Sequence, residues 1–107
     1  MAESIFQVWN RFQTSVNAGQ TKVADAILNS EFRAVEYKVS FHGNNKTKSL
    51  VIKINKLQAT IIDEVYSKSG DIINVAVNAV LNGSSTELVI INNEAYNLDV
   101  ILLRAKF

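Results

Sequence analysis

At 107 residues the chain has the length of one domain, enough to bury roughly two-thirds of the surface that its unfolded form exposes. Eleven basic against ten acidic side chains leave a net charge of +1, so the global balance supplies no attraction to nucleic acid, a membrane surface or an acidic substrate. Cysteine is absent and histidine occurs once, which excludes disulfides, thiolate chemistry, zinc–thiolate sites and any multi-histidine metal site within one chain. An apolar content of 48% is rich for a small monomer, and it predicts that a partner covers part of the surface.

The N-terminal "MAESIFQVWNRFQ" carries no basic region and no unbroken apolar run, so no signal peptide is expected. No segment approaches the run of about 20 apolar residues that a membrane-spanning helix needs, and the expectation is a soluble chain without a membrane partner. Residues 1–20 fit two patterns. Ile5, Val8, Trp9, Phe12 and Val16 match one face of a helix; Phe6, Val8, Phe12 and Val16 match one face of a strand. We read this stretch as an N-terminal arm, either short helix or strand, preceding a single domain over residues 21–107.

From there onward the period is two. Val35, Tyr37, Val39 and Phe41 alternate with Glu36, Lys38, Ser40 and His42; Leu50, Ile52 and Ile54 share a face against Lys53 and Asn55. A helical stripe also runs through Leu50, Ile54, Leu57, Ile61 and Val65. The β-branched content and the switched parity of Leu57, Ala59 and Ile61 favour two strands joined by a turn at Asn55–Lys56. Ile73, Val75, Val77, Ala79 and Leu81 make a further strand face, and "NLDVILLRAKF" is apolar on both faces over much of its length. Proline is absent and the four glycines all sit in polar stretches, "NAGQ", "HGNN", "KSGD" and "NGSS", that read as turns. The fold class predicted is all-β: an antiparallel two-sheet sandwich of about six to eight strands.

Few residues promise chemistry. His42 falls on the polar face at a strand end beside a Gly-Asn-Asn turn, without a recognisable serine or carboxylate partner, and an exposed turn flank accounts for it. Asp63 and Glu64 are neighbours in a predicted strand and so point to opposite faces; Asp25, Glu31, Glu36, Asp71, Glu87, Glu94 and Asp99 are scattered. Five lysines, Lys38, Lys46, Lys48, Lys53 and Lys56, fall between Tyr37 and Leu57 with no acid among them. They suit an electrostatic strip, but lysines on strand edges also discourage edge-to-edge aggregation, and nucleic acid is not the expected partner. Trp9, Tyr66 and Tyr96 are candidates either to stack on sugars or to sit half in a core with a wet polar tip.

Laid out in this way, residues 21–107 resemble a β-sandwich module of virion proteins in large tailed bacteriophages, where it occurs in fibre-like, neck-associated and capsid-surface proteins. The likeness runs through "EFRAVEYKVSFHG", with its Arg-x-x-x-Tyr element Arg33 to Tyr37, through "SLVIKI" and "ATIIDEVYSKSGD", and through "VNAVLNGSSTELVIINNEAYNLDVILLRAKF" with the late Arg104. The Asp-Gly turn usual after the module's third strand is replaced here by Asn55–Lys56. The resemblance implies a structural protein of the virion, made in the host cytoplasm, that works by self-assembly and by packing against other virion proteins in capsid, neck or tail, without catalysis, metal or cofactor. Within that reading Ile5, Phe6, Trp9 and Phe12 are the candidate interface. Arg33, four residues from Tyr37, is expected to share its face and to stack on or hydrogen-bond beside its strand. The alternative from another class is a carbohydrate- or ligand-binding module built on Tyr66, Tyr96 or Trp9.

Overall fold

The computed structural model describes residues 9–57 and 60–107, with side chains outside 56–69. They form β1 (Asn10–Val16), β2 (Thr21–Leu28), β3 (Ala34–Gly43), β4 (Lys46–Leu57), β5 (Thr60–Gly70), β6 (Val75–Asn82), β7 (Ser85–Asn92) and β8 (Leu98–Lys106), with one 3-10 turn at Asn29–Glu31. Every pairing is antiparallel. One sheet has five strands in the order β1-β8-β3-β4-β5, and the other has three in the order β2-β7-β6. The predicted two-sheet sandwich is what the chain adopts. No helix among the described residues is long and apolar enough to cross a membrane.

The period-two segments build the core as their alternation requires. Val35, Tyr37, Val39 and Phe41 of β3 are buried, as are Leu50, Ile52 and Ile54 of β4 and Leu98, Val100 and Leu102 of β8; Ile27, Leu88 and Ile90 meet them from the smaller sheet. Two tight hairpins fix registers. The β3–β4 loop is Asn44–Asn45, with Gly43 paired to Lys46 and φ of 50° and 58° at the two asparagines, the left-handed pair that a type I′ turn needs. The β6–β7 loop puts Gly83 at its first position with φ of 60°, where a side chain would be strained.

Three expectations need correction. The hairpin over residues 49–66 exists, but its turn lies beyond Leu57, which pairs with Thr60; Asn55 and Lys56 are strand residues opposite Ile62 and Ile61, and residues 58–59 fall outside those described. The parity switch does come from that turn, across which even positions of β4 meet odd positions of β5 (Ile54 with Asp63, Ile52 with Val65); a bulge farther along, where Val51 and Ile52 face Ser67 and Val65, reverses it again. Residues 10–16 are strand rather than helix and pair along β8, so the sandwich takes in part of the stretch read as an arm. Finally, β6 begins at Val75; Ile73 is buried from the preceding loop, and Leu81 at the far end is exposed.

Candidate functional site

The sequence offered Arg33 as Tyr37's companion, and the structure assigns that place to Arg104. Arg33 is an exposed bend residue ahead of β3, its N–H donating to the Phe107 carbonyl, and a residue outside the strand does not share the strand's alternating faces. Tyr37, in mid-strand, is buried and stands directly opposite Arg104 of β8. Both point between the sheets, where Asp25 of β2 meets them. The Tyr37 hydroxyl donates to Asp25 Oδ2 at 2.7 Å, and Arg104 Nη1 donates to Oδ2 at 2.8 Å and to Oδ1 at 3.1 Å. The Arg104 guanidinium lies 4.8 Å from the centroid of the Phe12 ring.

A backbone irregularity aims Asp25 inward. Val23 pairs with Val89 and Asp25 with Leu88, so β2 carries one residue more than its partner at this point. The bulge reverses the alternation: Val23 faces solvent, while Asp25 and then Ile27 face the core. Without it, residues 23 and 25 would share the outer face. The resulting carboxylate is nearly enclosed, with side-chain exposures of 13% for Arg104 and 9% for Asp25, and an ion pair this dry is sensitive to loss of either member. Burial first, and the Asp25 carboxylate second, push the Tyr37 phenol far above its ordinary pKa, so it stays a donor at any physiological pH. The trio has the chemistry of a brace. It ties the small sheet to the large one through the Tyr37 hydroxyl and Arg104 Nη1 on the Asp25 carboxylate, while the buried Arg104 Nε has no hydrogen-bond partner among the described residues.

A second polar assembly holds the opposite end, where the β1–β2, β3–β4, β5–β6 and β7–β8 connections gather. The buried Asn92 donates from Nδ2 to the carbonyls of Val16 and Tyr96, at 3.0 and 2.8 Å, and its Oδ1 accepts the Glu94 N–H at 2.9 Å. Asp71 and Thr47 bond reciprocally: the Asp71 N–H donates to the Thr47 carbonyl, and the Thr47 N–H to Asp71 Oδ2. Gly43 and Gly70 permit the close approach, since a Cβ at either would run into a backbone oxygen, that of Asn97 or of Thr47.

The other candidates come to rest in ordinary places. His42 lies across from Thr47 and Asp99, its Nδ1 3.3 Å from Thr47 Oγ1; the Asp99 carboxylate accepts from Ser15, and among the described residues no buried carboxylate hydrogen-bonds the imidazole. The lysine side chains that are described do not form one strip, and that of Lys56 lies outside them. Lys48 turns inward and donates to the Ile73 carbonyl, Lys38 sits 4.7 Å from the centroid of the Trp9 ring, and Lys53 stands opposite Glu36. Tyr96 packs against the core and Gly43, with its hydroxyl buried. Phe12 is turned inward onto Arg104 and the core, whereas Ile5 and Phe6 lie outside the described residues and the side chain of Tyr66 outside the described side chains. Asp63 and Glu64 occupy successive β5 positions opposite Ile54 and Lys53. Among the described residues no group of three or more His, Cys, Asp or Glu is placed to hold a metal ion. A shallow cleft of about 220 Å³ between Ala34, Glu36, Lys53, Asn55 and Phe107 is smaller than the roughly 300 Å³ at which small-molecule sites begin.

Comparison with solved structures finds the same architecture in two tailspikes. The tailspike protein of Acinetobacter baumannii phage AM24 superposes over 94% of this chain with a TM-score of 0.51 at 4% identity. That of Acinetobacter phage vB_ApiP_P1 superposes over 99% with a TM-score of 0.50 at 8% identity. The chain spans about a quarter of each, 26% and 24% of their lengths. No protein-family model and no curated protein matches the sequence. At such identities the likeness is one of fold, and the fold is one that phage tail proteins contain.

Proposed function

We propose that this protein is a structural module of a phage tail or tail fibre, acting by packing against copies of itself and other virion proteins rather than by catalysis. The observation that carries the reading is the near-complete superposition of the whole sandwich on part of two tailspike chains. A cross-sheet brace and a loop knot, both turned inward, support the reading of a structural module. Of the three aromatics of the sugar-binding alternative, the Tyr96 ring is packed against the core and Trp9 lies beside Lys38, while the Tyr66 side chain is outside those described.

Mass spectrometry of purified virions, combined with immunogold electron microscopy using an antibody to the recombinant protein, tests this. The chain should be recovered in fixed stoichiometry to the tail proteins, with gold at the tail. Particles that lack the chain, or gold confined to the capsid shell, would overturn the assignment to the tail.

A further inference from the structure

The tip of the β6–β7 hairpin holds a reactive pair that a packing role leaves unused. Asn82 is followed by Gly83, the only place in the sequence where asparagine precedes glycine. Such a pair can close on itself, because a glycine nitrogen has no side chain beside it to keep the asparagine amide away. Here the approach is open. A Cβ at Gly83 would meet no heavy atom within 4 Å beyond its chain neighbours, and among the described residues no acceptor meets the Gly83 N–H. Asn82 is exposed and is the last residue of β6, paired with Ser85.

We propose that Asn82–Gly83 is a site of slow self-modification, deamidation through a succinimide, and that Glu87 restrains it. The inference does not rest on the tail reading. The Gly83 nitrogen gives up its proton to solvent base and bonds to Asn82 Cγ. The Cγ–Nδ2 bond breaks, and Nδ2 leaves as ammonia with a proton taken from water. Water then adds to either imide carbonyl and breaks that carbon's bond to the ring nitrogen. Opening at Cγ gives aspartate; opening at the main-chain carbonyl gives isoaspartate. Water and its ions are the only co-reactants, and nothing is oxidised or reduced.

Glu87 opposes ring closure in two ways. It stands opposite Val80 on β7, one diagonal step from Asn82, and its Oε2 accepts from Asn82 Nδ2 at 3.1 Å. That bond pins the amide and draws nitrogen electron density toward Cγ, which makes the carbon a poorer electrophile. The carboxylate's charge also disfavours the anion that forms as the ring closes beside it. The ladder adds a third restraint, since closure requires the backbone at Asn82 to leave its extended conformation and give up the rung to Ser85. Once made, the product weakens the tip. A carboxylate at position 82 sets like charge diagonal to Glu87, and one charge lost from +1 leaves the chain at zero. Isoaspartate also lengthens the main chain at the last rung.

Peptide mapping by mass spectrometry during storage of the full chain in mildly alkaline buffer tests this. Asn82 should convert first among the asparagines, as an aspartate–isoaspartate pair, with an acidic shift on ion exchange. Glu87→Ala should speed conversion about fivefold, the factor that one modest hydrogen bond contributes. Glu87→Gln, which keeps the shape of the side chain, should act in the same sense and serves if Glu87→Ala fails to fold. The parent chain unfolded in urea should convert faster than the folded parent. Conversion of another asparagine ahead of Asn82, a Glu87→Ala rate no higher than the parent's, or a folded chain as fast as the unfolded one overturns the proposal. Virion recovery is read separately, so such a result leaves the tail assignment standing.

Discussion

The interior holds two polar assemblies, and they stabilise the molecule in opposite ways. At one end Asp25, Tyr37 and Arg104 bring two full charges between the sheets, each balanced by the other. At the other end Asn92 uses a neutral amide to satisfy two carbonyls and one N–H that the converging loops would otherwise strand. The charged assembly is strong only while complete, because its desolvation cost is fixed and its attraction depends on both partners. The neutral one is a sum of separate bonds to backbone groups that have no alternative. The first joins two layers; the second joins loops.

Removing one charge tests the contrast most sharply. Arg104→Leu leaves Asp25 buried beside a single phenol and should lower stability by about 3 to 5 kcal/mol, a large share of a small domain's total, as measured by urea unfolding. Asn92→Leu strands the Val16 and Tyr96 carbonyls and the Glu94 N–H, and about 3 kcal/mol should be lost in the same assay. Tyr37→Phe removes one bond to a charged acceptor and should cost about 2 kcal/mol. It should also change the alkaline limb. The folded Tyr37 pKa lies above the unfolded value, so its contribution is complete below about pH 10 and declines as pH rises beyond that; the decline should be reduced in Tyr37→Phe. The smallest effect is expected from the triple replacement Asp25→Leu, Tyr37→Phe and Arg104→Met, which leaves no member of the trio stranded. It should fall within about 1 kcal/mol of the parent and well above Arg104→Leu, because an apolar trio carries no desolvation cost. A triple variant as unstable as Arg104→Leu alone would show that the polar trio contributes more than it costs.

Much of the architecture was legible in the residue pattern. Val35 to Phe41 and Leu50 to Ile54 alternate cleanly, and their buried faces are those the alternation names. Two things escaped the pattern: the β4–β5 turn lies beyond Leu57 rather than at Asn55–Lys56, and a bulge in β2 hid Asp25 on what periodicity assigns to the outer face, alongside Val23. A bulge has no residue signature of its own in "TKVADAIL", and Arg104 lies 79 positions from the carboxylate it serves, beyond any local reading. Arg33 was the nearer arginine. Only the register of β3 against β8, which sets Tyr37 opposite Arg104, decides between them.

The pairing of β1 with β8 has a consequence for how the module can be wired. Asn10 stands opposite Arg104, so the path into the first strand and the path out of the last lie side by side. A short connector there would close the backbone into a ring, and the ring could then be opened at the Gly83–Ser84 loop without breaking a rung of either ladder. The same adjacency lets the unit be spliced as a bud into a surface loop of a host polypeptide, entering and leaving through one doorway.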